Sequence, residues 1–278
     1  ILGSGSDEVL LFAALAFCQD GDEILHANHG FEMYSIVSKV VGAVPKKIEE
    51  DVNFNLNIEN LITQTNDATK VIYIASPNNP TGTYLSRDQL VKLMNSISKN
   101  IIVVIDGAYV EYVQKDDYDK GFSLTDEYEN IILTRTFSKT YGLAALRVGW
   151  CYTSQKIADI INKIKPPFNT TTISQSLAIK ALEDKEHIEK SVKLNSEIKN
   201  WFEKELKLLN IKTRQTEGNF TLIETSEEEA EKISNHLMNE GIIIRRLNSY
   251  NLPNFLRISI GTKEEMDLTV ESLKKLNV

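Results

Sequence analysis

Lys139 sits in the segment "RTFSKTYGLAALRVGW", Arg135–Trp150, among small and hydroxylic side chains. An amine placed where water is scarce has a depressed pKa, and its neutral form can condense with an aldehyde. Its neighbours bring a second chemistry. Thr136 and Ser138 offer hydroxyls, and Arg147 offers a planar guanidinium that binds phosphate through paired hydrogen bonds. Asp106 closes the apolar run "VVIDGAY", where an ionised carboxylate needs a partner, and Tyr109 adds a hydroxyl three residues on. Asn79 lies in "SPNNPTG", a turn that explains Pro77, Pro80 and Gly82 without demanding Asn79. Near the start, "GSGSDEVLLFAALAF" leads glycines and serines into an apolar helix. The first amides of a helix lack internal partners and its N-terminus is electropositive, so this is an anion site in outline. It is not a P-loop, because no Gly-Lys-Ser/Thr follows.

Taken singly, each feature has a plainer reading: a surface lysine, a turn aspartate, a helix cap. Together they fit one ligand, an aromatic aldehyde carrying a phosphate and a protonated ring nitrogen. Pyridoxal phosphate has that chemistry.

The elements around these residues place them at strand ends. Val71–Ala75 (VIYIA), Ile101–Ile105 (IIVVI) and Ile131–Leu133 (IIL) are uniformly apolar, as parallel strands covered on both faces are. Helical patterns such as Ser86–Asn100 lie between them, which predicts an α/β fold with a mostly parallel sheet. In such sheets ligands gather beyond the carboxyl ends of the strands, where Asn79, Asp106 and Lys139 fall. Val148–Ser154 reads as a further strand. Thr172–Leu209 is helical and charged, with a break expected near Asp184. Beyond it, Asn219–Glu224, "IIIRRL" (Ile242–Leu247) and "FLRISIG" read as strands. Ser226–Glu240, capped by Ser226, and "KEEMDLTVESLKKL" read as helices. This predicts a large domain over 1–170, a connecting helical segment over 171–209 and a smaller α+β domain over 210–278.

Composition narrows the partners. The 278 residues are 42% hydrophobic, enough for a sizeable core, and carry a net charge of −8 without a basic stripe. Nucleic acid and anionic membrane are therefore not expected partners. No apolar run has transmembrane length. Two cysteines, Cys18 and Cys151, show neither framework nor ligand spacing, which reads as a reducing, cytoplasmic setting. The chain opens at Ile1 on the glycine-rich turn, as if starting in mid-fold, and residues ahead of it are expected to be missing.

The segments "SPNNPTG", "IDGAY" and "TFSKTYGLAALRVGW", in that order and spacing, resemble the fold type I pyridoxal-phosphate-dependent aminotransferases. "GSGSDE", "HGFEMYS", "PPFNTTTISQ" and "RRLNSYNLPNFLRISIGT" extend the likeness over the whole chain, towards the histidinol-phosphate aminotransferase branch. The resemblance implies a fold of a mostly parallel sheet sandwiched by helices, with a smaller C-terminal domain. It implies that Lys139 bonds to the aldehyde of pyridoxal 5'-phosphate and acts as the catalytic base. Asp106 would pair with the ring nitrogen, Asn79 and Tyr109 would contact the phenolic oxygen, and Phe31 would stack on the ring. The amides of Ser6 and Asp7, with Thr136, Ser138 and Arg147, would hold the phosphate. Arg257, assisted by Arg245, would grip the anionic end of the substrate. The implied substrates are L-histidinol phosphate and 2-oxoglutarate, and the implied assembly is a homodimer. Sister activities remain open, namely an aromatic amino acid aminotransferase or a threonine-phosphate decarboxylase, as does a sensor that binds the cofactor without turnover.

One departure stands in the central motifs. The family pattern Asp-Glu-Ala-Tyr is here "DGAY", with Gly107 in place of the glutamate, and little chemical loss is expected. The family's N-terminal segment, which covers the site and helps form the dimer, has no counterpart in this sequence. His26 and His29 have an H-x-x-H spacing but no evident third ligand, so no metal is expected. His187 and His236 are expected in solvent, and Trp150 and Trp201 in packing.

Overall fold

A computed structural model describes residues 1–276. Strands β1 (Leu2–Gly3), β2 (Glu23–Ala27), β3 (Val44–Ile48), β4 (Thr69–Ala75), β5 (Ile102–Asp106), β6 (Ile131–Thr136) and β7 (Gly149–Thr153) form one sheet. Their order is β1-β7-β6-β5-β4-β2-β3. From β2 to β6 all neighbours pair in parallel, whereas β7 runs antiparallel to β6 and to β1.

The uniformly apolar strands follow from two separate cores. Val71, Tyr73, Ile102, Val104 and Ile132 point to one face of the sheet. There they meet α1 (Ser6–Phe17), α2 (Met33–Val40) and, further along the chain, residues Ile157 and Ile161. Ile72, Ile74, Val103, Ile105, Ile131 and Leu133 point to the other face. They pack on α3 (Ile58–Gln64), α4 (Arg87–Ser96) and α5 (Phe122–Glu127). Every position of such a strand is therefore buried, and alternation disappears. α4 starts with a capping box: Ser86 accepts from the Gln89 amide, and the Gln89 side chain accepts from the Ser86 amide.

After α6 (Gln155–Ile164) come α7 (Thr172–Glu183) and α8 (Lys185–Leu208). The expected break is at Asp184, whose carboxylate accepts from the His187 amide and so caps α8. A second sheet, in the order β10-β11-β9-β8, is wholly antiparallel. It contains β8 (Lys212–Arg214), β9 (Phe220–Glu224), β10 (Arg245–Leu247) and β11 (Leu252–Ser259). α9 (Glu227–Asn239), α10 (Lys263–Lys275) and the second half of α8 cover one face of it. Ser226 caps α9 as expected, reciprocated by Glu229.

Two expectations change. The strand over Ile242–Leu247 shrinks to β10, because the Ile242 amide donates to Leu237 O and is spent on closing α9. His236 is half-buried rather than solvated, and its Nε2–H donates to Ser272 O at 3.0 Å. His187 is exposed as expected, and its Nε2–H donates to Thr140 O at 3.1 Å. Trp150 is half-buried and stacks on Phe122, while Trp201 lies under the Lys263 ammonium. No helix among the described residues is long and apolar enough to cross a membrane.

Candidate active site

The carboxyl ends of β4, β5 and β6 open on a cleft of about 260 Å³, closed on one side by the start of α1. Ten residues singled out in the sequence line it. Ser6, Asp7 and Phe31 come from the α1 and α2 side. Asn79, Asp106 and Tyr109 follow β4 and β5, and Thr136, Ser138, Lys139 and Arg147 follow β6. Arg257 reaches the edge of the cleft, where its Nη1 donates to Asn79 Oδ1 and its guanidinium lies 5.3 Å from the Phe220 ring centre. Arg245 is not brought to the wall. It stands one strand further out, opposite Arg257 in the β10–β11 ladder, and pairs with Glu32 at 3.5 Å.

At one end of the cleft the groups suit an anion. Arg147 adopts a left-handed backbone (φ 48°) and sends its Nη1 to Ser138 Oγ at 3.2 Å and to Ala144 O at 3.1 Å. Its Nη2 pairs with Asp7 at 3.4 Å. Gly5 immediately precedes α1 with φ 86°, and a Cβ there would overlap Arg147 Nη2. Only glycine lets the α1 amides and this guanidinium converge. The turn "SPNNPTG" has a similar constraint at Gly82, which has φ 76° and lies against Thr216 of the second sheet's approach.

Asp106 is buried at the centre. Tyr34 OH donates to its Oδ2 at 3.0 Å and Thr134 Oγ1 to its Oδ1 at 3.1 Å. Burial raises its pKa, and these two hydrogen bonds offset part of the rise. Tyr109 is buried and its phenol is pushed up to about 12, chiefly by burial, so at neutral pH it retains a proton to donate. The Lys139 ammonium lies 5.3 Å from the Tyr109 ring centre. The sequence predicts a lysine shielded from water, but Lys139 stays open to the cleft. Its pKa is lowered even so, first by desolvation under the cleft walls and then by the like charge of Arg257; Arg147 adds to this, and Asp7 and Asp106 oppose it.

Pyridoxal phosphate fits these residues. Asp106 would supply an anion for the ring nitrogen, Lys139 an amine for the aldehyde, and the Ser138, Arg147 and α1 group a cradle for the phosphate. Two contributors were not read from the sequence. Tyr34 lies three residues after Phe31, on the same side of the helix start, and Thr134 precedes Thr136 by the strand's period of two. Both spacings were available as signals. Gly107 also has a structural meaning. A side chain there would overlap the buried guanidinium of Arg135, which donates to Thr134 O at 2.8 Å and to Lys120 O.

His26 and His29 face different partners. His26 is buried, donates from Nδ1 to Ala27 O at 2.8 Å and accepts from Ser35 Oγ at 3.0 Å; burial pushes its pKa down to about 4. His29 Nδ1 donates to Glu50 at 2.7 Å.

A family model for class I and II aminotransferases matches residues 1–273. The chain belongs to that family. A protein of Idiomarina loihiensis named histidinol-phosphate aminotransferase 1 is 38% identical over 275 residues, covering 99% of this chain and 74% of the relative. The histidinol-phosphate aminotransferase of Pelagibacter ubique is 40% identical over 270 residues, covering 96% and 75%. The solved histidinol-phosphate aminotransferase of Sinorhizobium meliloti, in complex with pyridoxal-5'-phosphate, superposes with a TM-score of 0.93 at 24% identity, covering 99% of this chain and 76% of that one. At that identity the likeness is one of fold, and the fold is type I of the pyridoxal-phosphate aminotransferases.

Proposed function

We propose that this aminotransferase binds pyridoxal 5'-phosphate and moves an amino group between L-histidinol phosphate and 2-oxoglutarate. The observation that carries the reading is the convergence of Lys139, Asp106 and the Ser138–Arg147 anion site on one cleft. The substrate assignment draws on relatives of 36–40% identity that bear the histidinol-phosphate aminotransferase name. The bound cofactor supplies an electron sink for charge that develops at the substrate Cα.

The chain's own residues do the rest. Lys139 would take the proton from the substrate Cα and pass it to the cofactor's aldehyde carbon, a task suited to an amine of lowered pKa. Asp106 holds positive charge at the ring nitrogen. Asn79 and Tyr109 orient the ring's oxygen, and Phe31 covers its face. Arg147, Ser138, Thr136 and the amides of Ser6 and Asp7 anchor the phosphate. Arg257 binds the anionic end of either substrate, and Arg245 assists from the neighbouring strand. The assignment rests on a direct test. The absorbance of the bound cofactor should change when L-histidinol phosphate is added without a keto acid and recover with 2-oxoglutarate. A response confined to phenylalanine or threonine phosphate would move the substrate to a sister enzyme, and binding without any response would mark a sensor.

We take residues 1–170 as the cofactor domain, 171–209 as the connector and 210–278 as the small domain, since the two sheets fall on either side of α7 and α8. We also propose a cytoplasmic homodimer. On α7, Ile173, Leu177, Ile179 and Leu182 are 44–68% exposed. The charged side chains of α7 are Lys180 and Glu183, which pair with each other. A face without net charge lets two copies of a chain carrying −8 approach without like-charge repulsion. Sedimentation should show a dimer that Ile173→Asp dissociates; a monomer of the unaltered chain at micromolar concentration would refute the assembly.

A further inference from the structure

We propose that Tyr34 is the positioning residue of the Asp106 carboxylate, and that Tyr73 fixes Tyr34 in turn. The inference rests on the reading that Asp106 meets the cofactor's ring nitrogen. Tyr34 and Thr134 give each carboxylate oxygen one donor, from α2 and from β6. Thr134 is the residue opposite Asp106 in the parallel ladder, so that hydrogen bond comes with the sheet. Tyr34 is different. It is 72 residues away in sequence, and its ring is set by aromatic packing.

That packing is specific. The Tyr34 ring stacks on Tyr73 with centroids 4.9 Å apart and planes 6° off parallel. Phe31 meets it edge-on at 5.9 Å. Tyr73 OH donates to Leu10 O of α1 at 2.7 Å, which pins the lower ring to the helix that begins at the anion cradle. Both tyrosines are almost wholly buried. One side chain thus touches the acid and the aromatic cover, and its support touches the phosphate helix. A hydroxyl aimed at Oδ2 favours the ionised carboxylate and fixes its plane, so that the remaining lone pairs face the cleft.

Pyridoxal phosphate needs that anion only because it has a ring nitrogen. The 1-deaza analogue, in which a C–H replaces the nitrogen, does not. Tyr34→Phe keeps both ring contacts and removes only the hydroxyl. It should weaken pyridoxal phosphate binding roughly tenfold or more, the range for one hydrogen bond to a charged group, and leave binding of the deaza analogue unchanged. The affinity for pyridoxal phosphate should also begin to fall at a higher pH on acidification than in the unaltered enzyme. The other charges facing Asp106 are Asp7 from α1, Arg135 from β6 and Lys139 after it, and the substitution retains all three. Tyr73→Phe should show the same selectivity in weaker form.

Asp106→Asn is the reference, because it should discriminate the two ligands most strongly. If it does, and Tyr34→Phe weakens both ligands equally or neither, the role of Tyr34 is overturned while that of Asp106 stands. If Asp106→Asn itself fails to discriminate them, the assignment of Asp106 falls and the proposal falls with it. Thermal unfolding of each cofactor-free variant separates these outcomes from loss of the fold.

Discussion

Lys139→Ala is expected to abolish amino transfer, with a loss of about 10⁴-fold or more in the half-reaction rate, while the chain still folds. The magnitude follows from the two roles proposed for Lys139, an amine that carries the proton and an amine that bonds to the aldehyde. The fold should survive because the Lys139 side chain is open to the cleft and contributes little to either core. The neighbours that hold its loop are independent of it. Thr140 donates to Glu111 at 3.4 Å and accepts from His187, and Gly142 N donates to Lys139 O through the backbone alone. Lys139→Arg should be nearly as inactive, since a guanidinium stays charged at any working pH. Single-turnover rates with L-histidinol phosphate, followed by cofactor absorbance, check both. A Lys139→Ala variant that retained even a tenth of the original rate would remove this residue from the chemistry.

Asp106→Asn should separate activity from stability. Turnover is expected to fall by about a hundredfold to a thousandfold, comparable to losing one preorganised electrostatic contact to a reacting centre. Stability of the cofactor-free chain should move the other way at neutral pH. Burial raises the Asp106 pKa above that of a free aspartate. The folded chain then binds more protons here than the unfolded chain does. Its stability is therefore fully present below the ordinary aspartate value and declines as pH rises to the raised folded value. Asparagine carries no such decline, and the hydroxyls of Tyr34 and Thr134 can turn to meet an amide. The Tm of Asp106→Asn minus that of the unaltered chain should thus increase with pH across that window. A difference that does not vary with pH would mean that the buried carboxylate costs the fold nothing.

Why the central sheet could be read in advance, and its margins could not, follows from burial. β4, β5 and β6 are apolar at every position because each feeds two cores, so they stand out in the sequence. β3, "VPKKI", carries a proline and two lysines because it is the edge, where one side meets water. β8, "KTR", is an edge of the second sheet and reads as loop for the same reason. The break at Asp184 was legible because a cap is a local event within four residues. Site residues at strand ends were legible because the parallel topology sends those ends to one place. Arg245 is less direct: the resemblance gives it as an assistant of Arg257, and it stands one strand further out, paired with Glu32. Tyr34 went unread because its partner is across the sheet, and the hydrogen bond to Asp106 exists only once α2 has docked on β4.

The pairing of β1 with β7 sets an order of assembly. Leu2 lies opposite Trp150 and Gly3 opposite Gly149, and this is what brings the α1 amides to Arg147. The two halves of the proposed phosphate cradle are thus 140 residues apart along the chain. Contacts of such sequence separation form late, after the local helices and the neighbouring parallel strands. A growing chain can therefore present Lys139 and Asp106 before it can hold a phosphate. Cofactor capture then reports that the sheet has closed, and a ribosome-bound chain that ends short of β7 should remain without it.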